Sequence, residues 1–585
     1  MKELEYRVRI HMRAWVVCGL VVGLAAAGCT RNTGTRNTDT GPSTEHQAIV
    51  IDTKGTAPTP AAPIPNAKPG GTIYWLADGA PEHLDPTQMY VSDSLTIETL
   101  LYRHLTYYIE DPNGGSLQLV GDLATNAGES SNEGKTWTYH LRNGLKFDDG
   151  TPITSKDIAY GIARSFGKYG EVGPQYLQNA LNPKRDWTPD KGDVPPGVTL
   201  PDDKTIVFNF EAPHAEMPYL GAEPTSTPVP KAKDTGARYE AEFVASGPYM
   251  RDGTYDQTTK LTLKKNPNWD PKSDPIRHQY PDKWVFDFNG GNRDTQTQRL
   301  IADQGEDQTA LATTLVAQAQ IAQVQGDPNL LKRTGAAPTA FVSYIDINTT
   351  RVTDVKVRQA LNWAFDRGAF LTAVGGSAVA GPATWIMSPV VPGWKDYDAY
   401  KSADGHGDVD KAKALLAGAT PKLTYCFADT QSQQKYAVVV QNALQRAGFQ
   451  ITLNPLDKNS YYTTVGDKTT SCDLIFTGWA QDYPDPEATL DVLLNGEHIT
   501  PKGNVNTSYF NEPSINKKLD DLTLELDRGK AATGYGELDQ EIMTNYAPKI
   551  PTYYSKSFYM RGSKVWSFIS PLFALYNLVD AYVIS

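Results

Sequence analysis

Apolar positions in the second half of the chain switch between two periods in strict alternation. Leu423 to Phe427 reads as a strand, and Gln433 to Ala447 as a helix closed by Gly448. Phe449 to Asn454 follows as a strand, Ser460 to Val465 as a short helix, and Leu474 to Thr477 as a third strand. Upstream, Asp354 is placed to cap a helix that buries Val357, Ala360, Leu361, Ala364 and Phe365. Asp408 is placed to cap Lys411 to Ala417, with Gly418 as the stop. Such alternation predicts a mostly parallel sheet covered by helices.

The first half carries weaker signals. Gly71 to Ala77 is a strand-like run that opens the ordered body. Ser92-Asp93 marks a helix start, with Leu95, Ile97, Leu100, Leu101 and Leu105 as its apolar stripe. Trp137 to Leu141 alternates like a half-buried strand, and Phe147 to Thr151 reads as a turn. Thr154-Ser155-Lys156-Asp157 is a capping-box pattern, followed by Ile158, Ile162 and Phe166 at helical spacing. Residues 182–204 are rich in Pro, Asp and Gly and predict an irregular surface loop.

The N-terminus is of another kind. Residues 14–28 form a short apolar run after Arg13 that ends in small residues, the pattern of an export signal. The run is shorter than the ~20 residues of a membrane-spanning helix. Ala26-Ala27-Gly28-Cys29 resembles the bacterial lipobox, with Ala26 where the pattern prefers Leu, so Cys29 is the expected lipidation site. A plain secretory signal is the alternative, and Met12 is an alternative start. Residues 29–69 are expected to be a lipid-anchored flexible tether; they lack apolar periodicity and repeat Arg-Asn-Thr at 31–33 and 36–38.

Composition narrows the function. The 585 residues carry a formal charge of −12, and −14 once residues 1–28, with four basic and two acidic side chains, are removed. That balance argues against nucleic acid, which needs clustered Lys and Arg. The nine His form no His-Glu-x-x-His pair, and neither a Gly-x-Ser-x-Gly elbow nor a phosphate loop occurs. The acidic pairs Asp396/Asp398 and Asp482/Asp485 carry little weight among so many carboxylates. Asp404 to Asp408 lacks the spacing of a calcium loop. The expectation is a protein that is no enzyme and has neither cofactor nor metal. Cys426 and Cys472 are the two cysteines of the body. Placed late in one strand and just before another, they are expected to be staggered beyond disulfide reach, hence two buried thiols.

In open α/β sheets, ligands sit at the carboxyl ends of strands. The segment leaving the third strand is Gly478-Trp479-Ala480-Gln481-Asp482-Tyr483-Pro484-Asp485-Pro486, which joins aromatic surface to two carboxylates. It is the first candidate site.

Six blocks in order then carry a resemblance. They are Gly70-Gly71-Thr72 with Leu84-Asp85-Pro86, Leu141 to Thr154, Ser246-Gly247-Pro248-Tyr249, Lys265 to Trp269, Val357 to Arg367, and Asp410 to Leu416. From about Gly70 to Ile584 the chain resembles family 5 extracellular solute-binding proteins, the oligopeptide- and dipeptide-binding lipoproteins of ABC importers. The resemblance implies an α/β, class II periplasmic-binding-protein-like two-lobed clamp with an extra subdomain on lobe one. Lobe one would comprise 70–112, 225–340 and 551–585, the inserted subdomain 113–224, and lobe two 341–550. Hinge strands would lie near Tyr344 to Asn348 and Pro551 to Tyr554.

The resemblance also implies roles. Asp482 matches the carboxylate that binds a peptide's α-ammonium group, a charge-assisted contact. Gly478 and Ala480 would pair with the peptide main chain like an added strand. Trp479 and Trp385 would wall the cleft, Tyr90 with Val91 and Ser92 would face the ligand from lobe one, and Tyr344, Tyr553 and Tyr554 would line the cleft from the hinge. Implied partners are a peptide, transmembrane permease subunits, and the membrane through Cys29, at the extracytoplasmic face, with the protein a monomer. An oligosaccharide-binding member of the same family, kept open by eleven Trp, and a non-transport surface sensor are the alternatives.

Overall fold

The computed structural model describes residues 55–112, 117–184, 186–570 and 572–584. The export signal, Cys29 and the tether up to residue 54 lie outside the described residues. Residues 55–69, which the sequence places in the tether, run against the body. The amide of Gly121 donates to the Gly55 carbonyl at 2.8 Å, and that of Ala61 to the Asp274 carbonyl at 3.0 Å. The Ile64 amide donates to the Tyr280 hydroxyl at 3.1 Å.

One lobe is organised by a five-stranded sheet. Its order is Ala310–Ala312, Thr72–Leu76, Lys283–Asp287, Lys260–Lys265, Tyr249–Arg251. The first three strands are parallel and the last two antiparallel to their neighbours. Alternation along Thr72–Leu76 buries Ile73 and Trp75 completely, and Trp75 packs against Phe286 at 6.1 Å between ring centres. The helix Ser92–Leu101 covers this sheet and stops at Leu101, so Leu105 reaches the same core from the loop beyond it.

The inserted segment forms a four-stranded antiparallel sheet, Glu129–Ser131, Thr136–His140, Thr205–Asn209 and Val198–Asp202. Its helix Ser155–Ser165 opens on the predicted capping box of Thr154 and Asp157. Trp137, Tyr139, Ile158 and Phe208 belong to the same continuous core as Trp75 and Trp284, so this segment does not pack as a separate unit. Beneath the cleft, Arg103 donates to Asp122 at 2.7 Å and Arg277 meets the other Asp122 oxygen at 2.8 Å, all fully buried. These two guanidinium groups outweigh burial and hold the Asp122 carboxyl well below the usual carboxylate range. The Arg277 guanidinium also lies over the Tyr107 ring at 5.2 Å, which pins one wall of the cleft.

The second lobe has a six-stranded sheet, ordered Ala380–Pro382, Lys549–Met560, Thr334–Ile347, Leu474–Trp479, Lys422–Ala428, Gln450–Leu456. The last three strands are parallel, as the βαβ pattern predicts. The expectation of a mostly parallel sheet holds for those three alone. The two long strands pair antiparallel, because the chain passes between the lobes in one direction along Thr334–Ile347 and returns along Lys549–Met560. Tyr344 sits opposite Pro551 in this pair, inside the two segments expected to form the hinge. The helix caps are as read: Asp354 accepts from the Lys356 amide and Asp408 from the Lys411 amide.

Cys426 and Cys472 form a disulfide, with Cα atoms 5.8 Å apart. The expectation of two thiols fails for a definite reason. Cys472 lies outside the ladder, which begins at Leu474, so strand register does not set its distance from Cys426.

Candidate functional site

The strand Leu474–Trp479 lies between a hinge strand and Lys422–Ala428 and delivers the predicted segment to the gap between lobes. Two anchors fix the turn that follows. The Trp479 indole donates to the Ala488 carbonyl at 2.7 Å, closing the loop at its ends. Asp485 receives Arg528 through both oxygens, at 2.6 and 2.9 Å, with both side chains buried. A buried bidentate pair of this kind is geometrically specific. Asp485 also accepts from the Glu487 amide at 2.9 Å and so turns the chain into the helix Glu487–Leu494.

Between these anchors the turn enters the first lobe. Tyr483 stacks on Tyr219 at 5.5 Å and meets Tyr176 edge-on at 5.7 Å. With Ala488 it joins an apolar cluster of Tyr107, Tyr108, Leu119, Val120 and Ile276. Asp482 is thereby presented to two hydroxyls of the first lobe. Tyr90 donates to one oxygen at 3.0 Å, and Tyr176 donates to the other.

The space between the lobes is a cavity of about 1010 Å³. Tyr90, Val91 and Ser92 line it from one side and Ala480 and Asp482 from the other. Phe341 and Lys556 line it from the two long strands, and Leu572 to Leu575 from the C-terminal segment. Six carboxylates border it, Asp78, Glu82, Asp93, Glu98, Glu223 and Asp482, against two cations, Arg293 and Lys556. Burial raises the Tyr90 hydroxyl's proton affinity, and the negative charge of Asp482 adds to it. Burial first, then Asp482 and Glu98, pushes the Glu223 carboxyl well above the carboxylate range. Glu98 bonds His104 Nε2 at 2.6 Å. Among the described residues no group of three or more His, Cys, Asp or Glu is arranged to hold a metal ion, and no helix is long and apolar enough to cross a membrane.

The predicted residues divide into two sets. Asp482, Ala480, Tyr90, Val91 and Ser92 border one cavity. Gly478 does not border it but shapes it: a Cβ there would stand 2.1 Å from the Phe341 ring, which does. Trp479 is half-buried and packs toward the second-lobe core. Trp385, Tyr344, Tyr553 and Tyr554, expected to line the cleft, lie in that lobe's cores instead. Trp385 is 1% exposed and donates to the Tyr397 carbonyl at 2.8 Å, while the Tyr344 hydroxyl donates to the Ile386 carbonyl. The Tyr554 hydroxyl accepts from the Trp385 amide at 3.0 Å, and Tyr553 packs on Phe370. The Trp385 indole and the Tyr344 and Tyr554 hydroxyls are thus bonded to backbone partners within the lobe. The sequence reading missed Tyr176, Tyr107, Tyr108, Glu98 and Glu223; each lies in a segment with no motif, and only folding gathers them.

Residues 118–501 match the model described as "Bacterial extracellular solute-binding proteins, family 5 Middle". The chain is similar to the probable D,D-dipeptide-binding periplasmic protein DdpA of Escherichia coli, 23% identical over 480 residues, covering 80% of this chain and 85% of that one. It is 24% identical over 462 residues to the periplasmic oligopeptide-binding protein OppA of Salmonella typhimurium, covering 72% and 76%. Among solved structures, "Clavulanic acid biosynthesis oligopeptide binding protein 2" superposes with a TM-score of 0.79 at 29% identity, covering 91% of this chain and 99% of that one.

Proposed function

Since the chain belongs to the bacterial extracellular solute-binding proteins, family 5, we propose that it captures peptides between its two lobes and delivers them to the permease of an ABC importer. The observation that carries this reading is Asp482, a carboxylate held at the cavity wall by hydroxyl donors from the opposite lobe. An enclosed carboxylate gains a charge-assisted hydrogen bond from a peptide's ammonium group, which offsets the cost of enclosing it. Ala480 borders the cavity just past the end of the strand Leu474–Trp479, a position suited to main-chain pairing, which tolerates varied side chains. Names of similar proteins point the same way: DdpA is called dipeptide-binding and OppA oligopeptide-binding.

In this reading the protein is a carrier without catalysis, working as a monomer outside the cytoplasm and tethered through lipid on Cys29. Lobe one takes 70–112, 225–340 and 551–585, with 113–224 inserted, and lobe two takes 341–550. Hinge motion along the two long strands brings the lobes together on the ligand. Thermal unfolding with di- to hexapeptides and with cello-oligosaccharides tests the reading, because a ligand that binds only the native state raises the melting temperature. Stabilisation by peptides is expected; stabilisation by sugars alone, or by neither, refutes it.

A further inference from the structure

Glu223 opens a finer reading of the same cleft, one that rests on the peptide reading above. It follows the short helix Met217–Leu220, and its backbone is held on both sides: its amide donates to the Leu220 carbonyl at 3.3 Å, and its own carbonyl accepts from Ser226 at 3.0 Å. The side chain borders the cavity. The other carboxylates of this wall have partners. Asp482 has the Tyr90 and Tyr176 hydroxyls, and Glu98 has His104. For the Glu223 carboxylate no partner is found among the described residues, and the charges that act on it, Asp482 and Glu98, are both negative. Tyr107, 5% exposed and bordering the same cavity, has a hydroxyl that is likewise unpartnered.

The cavity's cations are committed elsewhere. Arg293 donates to the Leu315 carbonyl at 3.0 Å, and the Lys556 ammonium faces the Ser377 carbonyl at 3.4 Å. Neither is among the charges that act on Glu223. A ligand with a single ammonium group answers Asp482 and leaves Glu223, half-buried at the same cavity, without a partner. Tyr90, Glu223 and Asp482 border the same cavity, so a ligand held at Asp482 has its second cation answered at Glu223 within that space.

We propose that Glu223 is the acceptor for a second cation, so that the cleft prefers peptides whose first residue carries a basic side chain beside its α-ammonium group. Burial, and then its two negative neighbours, shift Glu223 toward the neutral acid before capture. Tyr90 and Tyr108, on which its charge acts, stay neutral, their hydroxyls raised first by burial and further by Glu223. On capture the O–H bond of Glu223 breaks, its proton passes to solvent, and the carboxylate takes the ligand's ammonium or guanidinium group. Charge and atoms balance with no further reactant.

Titration calorimetry on the purified chain tests this with Lys-Ala-Ala, Arg-Ala-Ala and norleucine-Ala-Ala, the last a neutral match in length for lysine. Basic first residues are expected to bind on the order of tenfold tighter than norleucine, the worth of one hydrogen bond to a charged group. Repeating the titrations in buffers of different ionisation enthalpy should show additional proton release with the lysine peptide. In Glu223→Gln the preference should vanish and the extra proton with it. Equal affinity for lysine and norleucine peptides in the wild type overturns the proposal with no variant needed. So does a preference that survives in Glu223→Gln. If no peptide binds, the peptide reading itself falls, and this inference with it.

Discussion

The hydroxyl of Tyr90 donates to Asp482 at 3.0 Å although 392 residues of chain separate them. The bond joins a loop of the first lobe to a turn of the second at the wall of the cavity. Asp482 therefore ties the two lobes together, and in the proposed function it also anchors a cationic ligand end.

Removing its charge should damage both. Asp482→Asn is expected to lower peptide affinity roughly ten- to a hundredfold, the range for hydrogen bonds to a charged group. Tyr90→Phe removes one supporting donor and should cost less. Calorimetric affinities for one tripeptide in the three proteins check the order. Equal binding by wild type and the Asn variant would refute the anchor role.

Tyr483 is the ring by which the turn enters the first lobe, between Tyr219 and Tyr176. Tyr483→Ala should remove about 3 kcal/mol of packing, the scale for truncating a buried aromatic. The loss falls on lobe contact, so peptide should leave faster and the solution radius of gyration should rise. Stopped-flow dissociation and small-angle scattering read the two effects, and no change in either would exclude a closing role.

The Cys426–Cys472 disulfide spans 46 residues of chain. Chain-entropy arguments assign such a loop about 4 kcal/mol, and measured values fall near 2–4 kcal/mol. Replacing both cysteines with serine should lower the denaturation midpoint accordingly. A variant as stable as the wild type would show that the bond does not form.

Glu110 predicts a dependence of stability on pH. Burial pushes its carboxyl up to about 7, against hydrogen bonds from Ser570 and Asn577 that pull it down. An unfolded carboxyl of this kind releases its proton near 4.3. Between those values the folded chain binds more protons than the unfolded one, so this group's contribution falls as pH rises from about 4 to 7. Glu110→Gln, which imitates the neutral acid, should melt like the wild type at pH 4 and above it at pH 8. A variant that melts below the wild type at pH 8 would contradict the sign.

Legibility differed between parts of the chain. The helix caps at Thr154, Asp354 and Asp408 and the three strands ending in Leu474–Trp479 were readable, because caps and apolar periods are local. The segment holding Asp482 was readable too, since it follows from strand order and the place where open sheets bind ligands. The tyrosines at 344, 553 and 554 were misplaced, since a residue's position on a hinge strand does not reveal which core receives its side chain. The disulfide was misjudged from strand register, which does not govern a residue outside the ladder.

The sequence alone thus determined the family, the alternation of strands and helices in the second lobe, and one carboxylate at a strand's end. These rest on short-range spacing and on ordered motifs. Only the tertiary structure decided that Tyr90, Glu223 and Asp482 border one cavity, with Tyr176 bonded to Asp482. Their meeting depends on two lobes folded from interleaved segments, and contacts across hundreds of residues leave no periodic trace along the chain.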